Sequence, residues 1–445
     1  MPQTIRSRTF SSLLILIAVA QLVGTAHAVP EIPGKPSDKV VALRGGVIHP
    51  VSGPPIRNGV LLMHRGRITA VGKDVEIPAD AEVVDVAGKH IYPSLFDSYT
   101  NLGLVEVNAV RSTVDFAETG RVNPNVQAHL AINPDSEHIP VSRSNGVLLA
   151  MTAPSGGLIS GQAAVIQLDG WTFEDLTLRA GAGMVLNWPR MAPVSDWWVE
   201  SSVKDQYKAR DKALKNLQET FDKAREYQRA RRANPSAQGL DARWEAMLPV
   251  LDRRVPLLVR ANELQEIQSA VAFAVREKVR LIIVGGYDAE ECAELLKRHR
   301  VSVLITGVYR LPMRRSEPYD RPFTLPNRLR EAGVPYCISC SGKFGAANIR
   351  NLPYHAAMAA AFGLPVEEAL KAITLYPAQV LGVAHRVGSL DKGKDATLII
   401  TDGDPLETST HVLDAYVRGA KVDLNNRHKR LWKKYSERVR RVKED

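Results

Sequence analysis

Two groups of short, β-patterned segments stand near opposite ends of the chain, at residues 39–90 and 386–424. In the first, Val40-Val41-Ala42-Leu43, Val60-Leu61-Leu62-Met63 and Glu82-Val83-Val84-Asp85-Val86 are separated by turn residues such as Ser52-Gly53-Pro54-Pro55. The second has the same character, with Ala396-Thr397-Leu398-Ile399-Ile400 and Ala415-Tyr416-Val417-Arg418. Between them the pattern changes to strand followed by helix. Val255–Val259 precedes a helical 263–277, Val279–Val284 precedes Asp288–Arg298, Val301–Ile305 follows, and Pro335–Ser339 precedes a helix over 351–362. That alternation predicts a parallel sheet with helices outside it, as a barrel or a doubly wound fold.

Composition narrows the class further. The 445 residues are 45% hydrophobic and 24% charged, which excludes disordered and collagen-like chains. Three cysteines cannot form a disulfide framework. Arg6 and Arg8, an apolar run from Leu13 to Val23, and Ala26-His27-Ala28 read as a signal peptide over residues 1–28. The apolar run is too short to span a bilayer, which takes about 20 residues. The expectation is therefore an exported protein, periplasmic or secreted. Of the net charge of +10, the leader holds two positive charges and residues 427–445 a net six, which leaves two for the body. A near-neutral body carries no basic face, so no nucleic-acid partner is expected.

Two helical segments stand out. Residues 203–232 place Tyr207, Leu214, Leu217, Phe221 and Ala224 at three- and four-residue steps, which reads as an amphipathic insertion lying over the barrel. In the tail, Leu431, Trp432, Tyr435, Val439 and Val442 form one stripe among nine basic residues. This basic amphipathic helix either packs on its own barrel or meets an anionic membrane surface through residues 427–443.

Gly88-Lys89-His90-Ile91-Tyr92-Pro93-Ser94-Leu95-Phe96-Asp97 resembles the segment that enters an amidohydrolase barrel. Ala372-Ile373-Thr374-Leu375-Tyr376-Pro377-Ala378, Leu381-Gly382, Val387 through Ala396, and Gly403-Asp404-Pro405-Leu406 are similar to the C-terminal signature of the same superfamily, most of all its imidazolonepropionase-like branch. The resemblance implies a (β/α)8 TIM-type barrel over 91–385. It also implies a small β-sandwich built from 39–90 and 386–424, whose distant halves close only when the chain ends meet.

The resemblance further implies a divalent metal at the C-terminal mouth of the barrel, where it activates water for hydrolysis of non-peptide C–N bonds. Carried over residue by residue, the ligands are missing. The two strand-1 histidines fall at Tyr99 and Asn101, the strand-5 histidine at Arg260, the strand-6 histidine at Gly285 and the strand-8 aspartate at Ser341. Glycine offers no side-chain ligand, and a guanidinium has five donors and no lone pair. No metal and no other cofactor is therefore expected. The candidates at the mouth are Asp97, Tyr99, Asn101 and Ser341 for chemistry, and Arg260, Asn262, Lys343, Arg350 and Asn351 for ligand binding. Asp97, Tyr99 and Asn101 should share a strand face by alternation. The basic residues suit a carboxylate-bearing small molecule, and Asp97 is an internal alternative as partner for Arg260. The function expected is that of an exported amidohydrolase relative without its metal site. A non-catalytic binding or scaffold protein using the same cleft is the alternative. Cys337 and Cys340, three apart in a strand, read as packing residues rather than a disulfide.

Overall fold

The computed structural model describes residues 32–234, 239–340 and 345–444. The leader at 1–28 and the candidates Ser341 and Lys343 lie outside the described residues.

The two ends of the chain meet in one sheet. β1 (Val41–Ile48), β2 (Ile56–His64), β3 (Arg67–Gly72), β4 (Glu82–Asp85) and β5 (His90–Pro93) come from the N-terminal side. β14 (Leu398–Thr401), β15 (Val412–Val417) and β16 (Ala420–Lys421) come from the C-terminal side. The sheet runs β16-β15-β14-β5-β1-β2-β3, with β4 paired to β1. The halves join where β14 lies antiparallel to β5, Ile399 opposite Tyr92 and Ile400 opposite Ile91. Leu43, Leu61, Met63, Ile91, Leu398 and Ile400 are buried together under this sheet, so neither half has a core without the other.

β5 runs through Ser94 into the second sheet. Ser94 N–H donates to the Thr397 carbonyl, and Ser94 Oγ accepts from Leu148 N–H at 3.0 Å, so this one residue ties both sheets. β6 (Leu95–Thr100), β7 (Val147–Thr152), β8 (Ile159–Gln167), β9 (Thr177–Asn187), β10 (Leu257–Ala261), β11 (Leu281–Gly285), β12 (Ser302–Thr306) and β13 (Tyr336–Ser339) pair in that order. β8 is antiparallel to both neighbours, and every other pair is parallel. The architecture is a (β/α)8 TIM-type barrel with one reversed strand, beside the sheet domain made by the chain ends. Phe96, Met151, Val165, Val185, Leu258 and Leu304 fill the barrel interior. The strands are buried on both faces, as helix-covered strands must be.

The long helix Val203–Ala233 starts at Ser202, whose side chain accepts the Asp205 N–H. Its buried face is Ala213, Leu217, Thr220, Phe221, Ala224 and Tyr227, while Tyr207 is partly exposed. Phe221 meets Phe273 edge-on at 5.1 Å, and Arg225 pairs with the buried Glu277. The segment packs into the outer helical layer between β9 and β10 in chain order.

β13 and β6, the two ends of the barrel sheet, are joined by a side chain rather than by a ladder among the described residues. Asp97 is fully buried. Its Oδ1 accepts from Tyr99 N–H at 3.0 Å and lies 2.7 Å from Ser339 Oγ, and its Oδ2 accepts from Cys340 N–H at 3.0 Å. The local bond to Tyr99 N–H interrupts strand alternation, and the β6–β7 register shifts between Asp97 and Thr100. Phe96 and Tyr99 therefore both join the interior cluster, and Asp97 turns into the seam. This corrects the expectation that Asp97 shares a face with Tyr99 and is available to Arg260.

Burial raises the Asp97 pKa from 3.8 to about 6, against the three hydrogen bonds that favour its charge. Ser339 Oγ also lies 2.8 Å from the Tyr99 carbonyl, so a protonated Asp97 can donate to Ser339 while Ser339 donates onward. The folded pKa lies above the unfolded one. The stability that Asp97 contributes is fully present below about pH 4 and is lost as pH rises through about 6. At 1.36 kcal/mol per pKa unit the loss is roughly 3 kcal/mol. Urea unfolding of wild type and Asp97→Asn at pH 4 and pH 7 should show the variant gaining on wild type by about that amount at the higher pH. A difference independent of pH would contradict the buried, protonatable seam.

Candidate functional site at the barrel mouth

At the C-terminal ends of the strands a cavity of about 820 Å³ opens, lined by Tyr99, Arg260, Asn262, Arg310, Cys340 and His355 among others. Arg260 follows Leu258 on the inward face of β10. One step above the filled interior there is nothing left to pack against, so the guanidinium stands exposed in the cavity. It donates to Asn187 Oδ1 at 3.2 Å. Asn187 ends β9 and is held in turn through Nδ2 by the Gly156 carbonyl (3.2 Å), the Gly157 carbonyl (3.0 Å) and Ser160 Oγ (3.0 Å). The glycine-rich segment is thus a clamp for the residue that aims Arg260. Among the described residues no carboxylate pairs with Arg260. The second cavity arginine, Arg310, lies over the Tyr287 ring at 5.1 Å.

Tyr99 lines the same cavity and is nearly buried. Burial raises its pKa, and the neighbouring Arg260 acts the other way. Asn101 does not line the cavity; its Oδ1 accepts from Ala346 N–H at 3.1 Å and fixes the chain after β13. Asn262 does line it, and its Oδ1 is buried with no hydrogen-bond partner among the described residues. Asn351 lies on the wall, whereas Arg350 donates to the Ala347 carbonyl at 2.7 Å and is not a lining residue.

The far wall carries a neutral hydrogen-bonded pair. His355, on the helix Leu352–Ala361, is buried, and its Nδ1 accepts from Val308 N–H at 3.1 Å and Tyr309 N–H at 3.3 Å. Those bonds place its proton on Nε2, which faces Cys340 Sγ at 3.3 Å. Burial lowers the His355 pKa to about 4. The Cys340 thiol donates to the Asn348 carbonyl at 3.0 Å, and burial pushes its pKa well above the ordinary thiol range. Cys337 is buried inside the barrel, as a packing residue should be.

Sequence reasoning missed Asn187, Arg310, Tyr309, Tyr354 and the burial of His355. Asn187 had one available signal, its place at the C-terminal end of a strand. The others sit on loops and a helix, where strand position gives no cue.

Nor do the side chains at these strand ends fit a divalent cation. Gly285 has φ +107°, and a Cβ there would lie 2.5 Å from Asn262 Oδ1, so the space of a strand-6 ligand is already taken. Arg260 brings a positive charge where a ligand would bring a lone pair. Among the described residues no group of three or more His, Cys, Asp or Glu side chains is placed to hold a metal.

A second cavity, of about 690 Å³, lies at the opposite end of the barrel and is lined by Arg253, Lys278, Arg280, His299 and Arg300. Arg253, Lys278 and Arg300 each follow a helix C-terminus, where cations offset the negative end of the helix dipole. In barrels this face serves stability, whereas functional sites sit at the mouth.

The model of the Amidohydrolase family matches residues 278–426. An amidohydrolase of Hapsidospora irregularis is 21% identical over 393 residues, covering 81% of this chain and 39% of that protein. The imidazolonepropionase of Rhizorhabdus wittichii is 26% identical over 182 residues, covering 40% of this chain and 41% of that protein. The chain thus spans about two fifths of the length of these curated relatives. The crystal structure of an amidohydrolase from Thermotoga maritima superposes with a TM-score of 0.76 at 23% identity, covering 86% of this chain and 99% of that one. That likeness supports the fold, and the family match runs through the C-terminal signature. Residues 278–426 thus match the Amidohydrolase family, and the chain is similar to an amidohydrolase over most of its length and to imidazolonepropionases over part of it.

Proposed function

We propose that this is an exported member of the superfamily in which the metal centre has given way to an anion-binding mouth, and that it holds a small carboxylate-bearing molecule on Arg260. The observation that carries this reading is the Arg260–Asn187 pair. A guanidinium is aimed by a clamped asparagine into a cavity of about 820 Å³ and meets no carboxylate among the described residues. A charge-assisted bond to an arriving carboxylate is the interaction it lacks. Asn262, which lines the same cavity, adds a side-chain amide that an amide or ring ligand can pair with. Some relatives are named for a propionate-bearing ring, which fits the same pair of contacts.

The same cavity is poorly equipped for turnover. Asp97 is committed to the seam, the Cys340 thiol is held protonated, and both ring nitrogens of His355 are engaged, Nδ1 by backbone N–H groups and Nε2 by Cys340. Among the described residues none is placed as a general base. The leader at 1–28 supports export, and intact-mass analysis of the purified protein tests it by cleavage before Val29.

Titration calorimetry with small mono- and dicarboxylates and N-acyl amino acids tests the binding. Arg260→Met should weaken the best ligand by roughly tenfold to 150-fold, the equivalent of a charged hydrogen bond. Asn187→Ala should weaken it less, since the guanidinium remains but is no longer aimed. Because Arg260 is exposed, its substitution should change stability by no more than about 0.5 kcal/mol. The proposal fails if no carboxylate binds, or if Arg260→Met binds as well as wild type.

A further inference from the structure

The C-terminal helix, Arg427–Glu444, is rooted in the body at its first turn only. Asn426 is buried, and its Oδ1 accepts from Lys429 N–H at 3.0 Å. Arg430 reaches Glu137 at 3.6 Å. Beyond that point, among the described residues, no hydrogen bond or ion pair ties the helix to the rest of the protein. The ion pairs that remain join Glu437 to Arg440 and Arg441 within the helix. The apolar stripe is open to solvent: Trp432 is 73% exposed, Val442 69%, Val439 55%, Tyr435 51% and Leu431 40%. The tail therefore does not pack its stripe on its own barrel, which was one of the two sequence expectations.

An uncovered stripe of this kind needs an occupant. A helix of this length is marginal in water without a surface to bury against. At 3.6 residues per turn, Leu431, Trp432, Tyr435, Val439 and Val442 fall within an arc of about 100°. Lys434, Arg438 and Arg427 flank one side of that arc, and Lys443 and Lys429 the other. Nine basic and two acidic residues lie in 427–444. A cationic rim around a narrow apolar face is complementary to an anionic sheet with an apolar layer beneath it. Trp and Tyr suit the boundary, because each has an apolar body and a polar tip. Arg and Lys beside the stripe can bury their stems and keep their charges at headgroup level.

We infer that this helix is a peripheral membrane anchor that lies in the surface of an anionic lipid bilayer. It is too polar to cross one: among the described residues no helix is long and apolar enough to do so. Attraction of about 1 kcal/mol per basic residue adds to burial of the stripe, and two such signals together give a stable hold.

Co-sedimentation with vesicles tests this. The full chain and a form ending at Asn426 share residues 1–426, so any contribution of the leader is common to both. With vesicles of phosphatidylcholine and phosphatidylglycerol at 7:3, at low salt, the full chain should partition at least about tenfold more than the shortened form. It should lose most of that advantage on pure phosphatidylcholine and at high salt. Trp432→Ser with Val439→Ser, and separately Lys433→Glu with Lys434→Glu, should each lower partition about tenfold while leaving the thermal transition unchanged. Equal partition of the full and shortened forms would overturn the inference. So would a full chain that ignores vesicles but dimerises in light scattering through the same residues, because a second copy would then cover the stripe.

Discussion

Where the eighth barrel strand comes round to the first, a buried carboxylate does the work that a ladder of backbone bonds does elsewhere. Asp97 takes the Cys340 N–H and approaches the Ser339 hydroxyl from across the seam, and on its own strand it takes the Tyr99 N–H. That last bond breaks the alternation of β6 and turns Tyr99 inward toward the mouth. The bond to Cys340 holds the chain just past β13, where the thiol reaches Asn348 and His355. Two walls of the mouth are therefore positioned by one side chain that does not itself line it.

The other wall is built outward from Asn187. In a barrel whose interior is filled, the strand ends are the first level at which side chains meet solvent, and whatever stands there defines the chemistry. Here the strand ends carry Tyr99, Asn187, Arg260, Asn262 and Thr306. The set is rich in hydrogen-bond donors and holds a fixed positive charge, but it is poor in the imidazole and carboxylate lone pairs that a divalent cation requires. Gly285 fits the same account: its missing side chain leaves room for the Asn262 amide.

Much of the fold was legible because periodicity and turn residues speak directly of local structure. The segments read at Val60–Met63, Val301–Ile305 and Pro335–Ser339 lie within or beside β2, β12 and β13, and the helix read over 263–277 is Leu264–Arg276. The reversal of β8 left no trace, because a strand buried on both faces has the same apolar composition whichever way it runs. The site was legible only in part. Tyr99, Arg260, Asn262 and Asn351 could be placed by strand position or by adjacency to it, and all four line the cavity. Asp97 and Asn101 were placed by the same rule, yet they serve the seam and the turn after β13, because a two-residue side-chain bond reset the register. Arg310 and His355 come from segments whose path no local pattern specifies.

We propose a mouth that carries the Arg260 guanidinium in place of a metal. Elemental analysis of protein saturated with zinc or manganese and then desalted tests it most directly. The expected result is far less than one ion per chain, unchanged by substitution of Asn262. About one tightly held ion per chain, lost when Asn101 and Asn262 are changed to alanine, would contradict it.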